Sequence, residues 1–167
     1  TALIALWTIS FYVLIYTLIL KPTTPSSTVL GGIAGAMPPV MGLAAVGELG
    51  WAAVALFGIL FLWQPPHFWA LALVRCEEYR RAGFKILPVV GGIEKTRRQM
   101  LIYTVLLVPA SVTPWFLGLT GHWYLATAIV LNTLYLRWTW QFVRAEYSAK
   151  AARRLFFYSI LYLTVLF

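Results

Sequence analysis

From Trp51 to Val74 the chain runs for 24 residues without an Asp, Glu, Lys or Arg. A helix of that length rises about 36 Å, enough to cross the roughly 30 Å of hydrocarbon in a bilayer. Similar apolar runs recur along a sequence of 167 residues that is 61% hydrophobic and only 11% charged. A soluble domain of this size has no interior that could hide so much apolar surface. The chain is therefore read as all-α, a polytopic transmembrane helix bundle. At about 20 residues per crossing, six segments emerge: 2–20, 28–47, 51–74, 100–119, 122–143 and 155–167. The last is too short to cross by itself, and both ends of the sequence read as cut from a longer protein.

Charge placement supports this count. Threading the six segments up and down puts all 13 Lys and Arg residues on one face, leaving only Glu48 and His122 on the other. That asymmetry is the positive-inside pattern, so Lys21, the 75–99 loop and the 144–154 loop are expected on the cytoplasmic side. The net charge of +8 is thus explained by membrane orientation and does not point to nucleic acid. A single cysteine, Cys76, rules out an internal disulfide.

Three places carry candidate chemistry. Glu77 and Glu78 follow directly on the Trp51–Val74 segment, among Arg75, Arg80, Arg81 and Lys85, in a chain with only five acidic residues and no Asp. Carboxylates ringed by cations at the mouth of a bundle suit a divalent metal and a phosphate; the alternative is a solvated loop whose charges balance one another. The 75–99 loop is long enough to form a short helix capping the bundle. Within the third segment, Trp63-Gln64-Pro65-Pro66-His67-Phe68-Trp69 sets Gln64 and His67 on one helical face. His67 lies about 12 Å below the basic edge by helical rise. A histidine at that depth either faces a cavity or bonds a carbonyl freed by Pro65 or Pro66. The second segment combines Gly31 and Gly35, spaced for close helix approach, with Pro38-Pro39, which must kink it. Asn132 is expected to hydrogen-bond a neighbouring helix.

Taken together, Tyr16 to Lys21 with Gly31 to Pro39, Trp63 to Leu73, and Glu78 to Gly83 followed by Leu87 to Val90 resemble the UbiA-type intramembrane prenyltransferases. Within that family they are most similar to the branch that farnesylates heme. Arg153-Arg154-Leu155-Phe156 leading into Ser159 is similar to the family's final helix. The resemblance implies about six helices of a fold of about nine, with 1–167 forming one transmembrane prenyltransferase domain whose N-terminal half, including a first acidic motif, lies outside this sequence. It implies farnesyl transfer from farnesyl diphosphate to a vinyl group of heme B, giving heme O and diphosphate, at the bacterial inner membrane. Glu78, with Glu77 beside it, would hold Mg²⁺. Lys21, Arg80, Arg81 and Lys85 would contact the diphosphate, and Gln64 and His67 the acceptor. Lys21, Glu78 and His67 are the expected catalytic set. The sequence departs from the family's usual pattern at Pro22, Ser27, Glu78 and Lys85. Two alternatives stand beside this reading: a related prenyltransferase with an aromatic acceptor (a quinone precursor or chlorophyllide), and a transporter or channel subunit in which the charged loop binds an ion.

Overall fold

The computed structural model describes residues 1–167 and contains helices only. The helices are α1 (Ala2–Thr23), α2 (Ser27–Ala45), α3 (Trp51–Val74), α4 (Cys76–Arg81), α5 (Leu87–Phe116), α6 (His122–Arg144) and α7 (Ala149–Leu166). Helices α1, α2, α3 and α5 are long and apolar enough to cross a membrane by length and composition. With 23 and 18 residues, α6 and α7 reach about 34 and 27 Å, so they match the bundle in length while being more polar. The protein is an integral membrane helix bundle.

The bundle is organised around α3, which packs on α2, α5 and α7, while α6 closes against α5 and α7. One apolar core runs through α3, α5, α6 and α7, with Ile59, Trp69, Met100, Leu107 and Tyr162 almost wholly enclosed. Helix α1 stands apart: Thr8 is its one buried residue, and most of its Leu, Ile and Val side chains face outward. Such apolar side chains suit a lipid or helix neighbour within a membrane, so their exposure here costs nothing comparable to exposure in water.

Several boundaries differ from the sequence reading, each for a local reason. Helix α1 continues through Pro22 to Thr23, and its Phe11–Leu20 stretch is π-helical. Pro22 has no N–H to bond one turn back, and the helix runs only one residue beyond it. The turn therefore falls at Thr24–Ser26. Helix α2 does not merely kink at the prolines; it breaks at Ala36, and Pro38-Pro39 occupy the first turn of the second half, where missing N–H groups are harmless. Residues 87–99, expected in the loop, belong to α5, which is interrupted at Gly92 with φ +76, a conformation favourable only to glycine. The expected loop 144–154 shrinks to 145–148, because Ser148 caps α7 by accepting from the Ala151 amide. That extension corrects the 155–167 segment from too short to cross to a helix of near-membrane length.

Candidate functional site

A cavity of about 380 Å³ lies between α1, α2 and α3. Tyr12 and Tyr16 of α1, Thr28, Gly31 and Gly35 of α2, and Trp63, Gln64, His67 and Phe68 of α3 line it. The two glycines are required by close approach: a Cβ on Gly31 would overlap the Tyr16 ring, and one on Gly35 would overlap Gln64 Oε1. They act here less as a helix–helix seam than as seats for two side chains of the cavity wall. Gln64 Nε2 donates to the Gly32 and Leu60 carbonyls, both at 3.2 Å, which ties α3 to α2. Thr28 Oγ1, by contrast, is buried with no hydrogen-bond partner.

His67 faces this cavity and is not satisfied by a carbonyl freed by the diproline. Its Nδ1 lies 2.6 Å from Ser159 Oγ on α7, and its ring is stacked between Trp63 and Phe156, with centroids 4.3 and 4.8 Å away. Trp63 is held by the same residue, donating from Nε1 to the Ser159 carbonyl at 2.8 Å. One turn apart on α3, Trp63 and His67 thus clasp one position of α7 that lies more than ninety residues away in sequence.

Above the cavity, α4 carries the charged motif. Gly83, at φ +75, ends α4 and folds the chain back so that the Phe84 amide donates to the Tyr79 carbonyl. The turn sets Phe84 beneath Lys21, whose Nζ sits 4.7 Å from the ring centroid, a cation–π contact. Tyr79 is 6.3 Å from Phe84 and 6.1 Å from Phe68, so an aromatic ladder runs from Lys21 down to the cavity wall. Burial raises the Tyr79 phenol above its usual pKa; Arg75 opposes the shift and Glu78 adds to it, so the phenol stays protonated as a hydrogen-bond donor.

The carboxylate pair is split in use. Glu77 is engaged by Arg80 and, at 3.5 Å, by Arg81, whereas Glu78 forms no ion pair. Arg81, Lys85 and Glu78 are exposed. No cluster of three or more metal-binding side chains exists in the chain. Glu78 is one carboxylate free to bind a hard divalent cation, which fits an ion that takes few protein ligands and completes its shell with phosphate oxygens and water. The structure thus gathers Gln64 and His67 at the cavity and sets Lys21 beside the turn that follows Glu77, Glu78, Arg80 and Arg81.

The model of the UbiA prenyltransferase family matches residues 1–161. The chain belongs to the UbiA prenyltransferase family. It is 50% identical over 99% of its length to a protoheme IX farnesyltransferase of Gloeobacter violaceus, and 48% identical over 100% to one of Leptothrix cholodnii. The chain spans about half the length of these relatives, 55% in both cases. A solved structure of digeranylgeranylglyceryl phosphate synthase superposes with a TM-score of 0.85 at 18% identity, covering 98% of this chain and 57% of that one, which establishes the shared fold. The family membership leaves no support for the ion-gating alternative.

Sequence reasoning missed Tyr12, Tyr16, Thr28 and Phe84 as parts of this region and treated Ser159 only as a helix marker. Tyr12 and Tyr16 carried a usable signal, four residues apart and therefore on one helical face. Ser159 carried none, because nothing local marks a contact 92 residues away.

Proposed function

We propose that the full-length protein transfers a farnesyl group from farnesyl diphosphate to a vinyl group of heme B, giving heme O and diphosphate. The observation that carries this reading is the identity of about half the residues, across nearly the whole chain, to proteins named protoheme IX farnesyltransferase. The geometry supports it: a membrane-embedded cavity with aromatic walls lies below a charged mouth.

Each group has a distinct task. Lys21 and the guanidinium groups of Arg80 and Arg81 bind the diphosphate, with Lys85 assisting from the turn after α4. Glu78 would hold Mg²⁺, with Glu77 reserved for orienting the two arginines. Bound there, Mg²⁺ would supply neutralisation of the leaving diphosphate charge. As the allylic C–O bond breaks, its electron pair leaves with the diphosphate. The vinyl group then bonds to the farnesyl carbon, and water adds at the porphyrin-side carbon with loss of a proton. The aromatic side chains of Tyr12, Tyr16, Trp63 and Phe68 keep bulk water from the allylic cation before that bond forms. Gln64 and His67 orient the porphyrin. Residues 1–167 are one part of a single prenyltransferase domain in the bacterial inner membrane, with Lys21, α4 and the 145–148 turn facing the cytoplasm.

The test is direct. Purified full-length protein in nanodiscs, supplied with Mg²⁺, farnesyl diphosphate and either heme B or an aromatic acid acceptor, is expected to form heme O and to leave the aromatic acid unmodified. Prenylation of the aromatic acid with heme B untouched would replace this reading by the aromatic-acceptor alternative.

A further inference from the structure

The contacts of Ser159 determine which nitrogen of His67 carries its proton. Ser159 Oγ is 2.6 Å from the Phe156 carbonyl and 2.6 Å from His67 Nδ1. A carbonyl oxygen can only accept, and a serine hydroxyl has a single hydrogen. That hydrogen goes to Phe156, so the bond to His67 must be donated by Nδ1–H, and Ser159 Oγ is its acceptor. In the neutral ring the remaining nitrogen, Nε2, then bears a bare lone pair. Nε2 makes no hydrogen bond, yet it is not one of the sealed, unpartnered polar atoms, and its ring lines the 380 Å³ cavity. The Trp63 and Phe156 rings on either face fix the plane in which that lone pair points.

We propose that Ser159 is a positioning residue that holds His67 as the Nδ1–H tautomer, leaving Nε2 open to the cavity as the ligand for the iron of the acceptor porphyrin. This rests on the heme reading above and narrows it: His67 is a Lewis base toward the substrate and not a hydrogen-bond donor to it. The arrangement matches the general behaviour of metal-binding histidines, whose far nitrogen is donated to an acceptor that sets tautomer and orientation. Ser159 is fully buried, so its hydroxyl acts only through His67 and the helix.

The experiment has two arms on the full-length protein in nanodiscs. The first uses ¹⁵N-histidine labelling to read the tautomer by NMR, with the His67 signals assigned by their loss in His67→Ala. Expected is a proton on Nδ1 of His67; a proton on Nε2 overturns the proposal whatever the activity. The second titrates ferrous heme B and records the iron–histidine stretching band by resonance Raman. The band is expected in the parent and absent in His67→Ala. Ser159→Ala is expected to weaken heme binding about 10- to 100-fold and shift the band, leaving the KM for farnesyl diphosphate unchanged. Ser159→Thr, which keeps the hydroxyl, is expected to restore both. A band that survives in His67→Ala, with heme O still formed, overturns the ligand assignment and leaves the proposed function standing. A parent protein that binds no heme B but prenylates another acceptor overturns the function and the ligand assignment together, while the NMR arm still decides the tautomer. Equal loss of heme and farnesyl diphosphate binding in Ser159→Ala, with a lowered unfolding temperature and no rescue by threonine, would make Ser159 merely structural and overturn the proposal.

Discussion

The two sides of the bundle use the same kinds of polar residue to opposite ends. On the α5–α6–α7 side the polar groups converge on one another. Asn132 Nδ2 donates to Ser111 Oγ at 2.8 Å, Tyr162 donates to Asn132 Oδ1 at 2.9 Å, and the Tyr124 and Tyr158 hydroxyls donate to the Ser111 and Leu131 carbonyls. On the α1–α2–α3 side, Tyr12, Tyr16, Thr28 and His67 surround open volume. Thr28 Oγ1 has no partner, and His67 leaves one nitrogen unengaged. A buried polar group in a membrane is costly unless paired. On the first side the Ser111–Asn132–Tyr162 chain meets that cost internally and makes a rigid wall, although Tyr135 Oη and Thr139 Oγ1 of α6 stay unpartnered; on the other side Thr28 Oγ1 and His67 border open volume.

Arg97 belongs to the rigid wall although it counts among the basic-face charges. It is 2% exposed, pairs with Glu94 at 2.8 Å, and donates to the Phe142 and Ala145 carbonyls at the C-terminal end of α6. A guanidinium suits this place because its rigid fork serves two acceptors and its charge complements the helix dipole. The comparison breaks first here. Arg97→Met is expected to lower stability by about 3 kcal/mol, since charge-assisted bonds to two helix-end carbonyls are lost. Denaturant unfolding in detergent checks this. Arg97→Lys should recover only part of the loss, and an unchanged midpoint for Arg97→Met would remove Arg97 from the wall.

Glu78→Gln probes the mouth of the open side. It is expected to cut prenyl transfer by about 10² or more at unchanged unfolding midpoint, because Glu78 is exposed and forms no ion pair, and its proposed task is to hold Mg²⁺. Glu77→Gln should cost less, as its partners are arginines. Comparable losses for the two variants would mean that the split seen in α4 has no functional meaning.

Gly35→Ala sharpens the contrast inside the cavity. The added methyl displaces Gln64 from its place against α2 and should reduce transfer by about 10-fold while costing about 1–2 kcal/mol of stability, the usual scale for overpacking. Assaying activity well below the unfolding midpoint separates the two effects. Gly58→Ala is the control, because a Cβ there meets nothing within 4 Å. The smallest change is expected for Asn132→Leu, about 1 kcal/mol of destabilisation with turnover retained, since interhelical hydrogen bonds in membranes are individually modest. A loss of turnover larger than the loss of folded protein would show that the rigid wall takes part in the reaction.

Much of the fold was legible because it is written in local properties. The long uncharged runs mark membrane helices, and the charge asymmetry sets their up-and-down order. Pro38-Pro39 marks a disruption of α2, expected as a kink and found as a break at Ala36, because a missing N–H acts on its own turn. Asn132 was read as helix glue on the same ground, a polar side chain that hydrocarbon cannot satisfy. The boundaries that were misread at 94–99 and 149–154 are stretches where charged residues continue a helix beyond the apolar run, so hydropathy alone ends them too early; at 87–92, Pro88 and Gly91-Gly92 read as loop punctuation although they form the first turns of α5.

By itself, the sequence determined the membrane setting of this protein, its all-helical fold, and the resemblance that the family match bears out. It also supplied His67 and Glu78 as candidates, because a histidine deep in an apolar helix and a carboxylate among cations each stand out locally. Only the tertiary structure decided what those side chains meet. It put Ser159 against His67, 92 positions apart in sequence, seated Tyr16 and Gln64 on glycines of another helix, and turned Arg97 from a surface charge into a cap on α6. Hydrophobic periodicity and charge report how a residue partitions between lipid, water and protein. They carry no term for which distant residue shares its interface, and that pairing is fixed only when the helices pack.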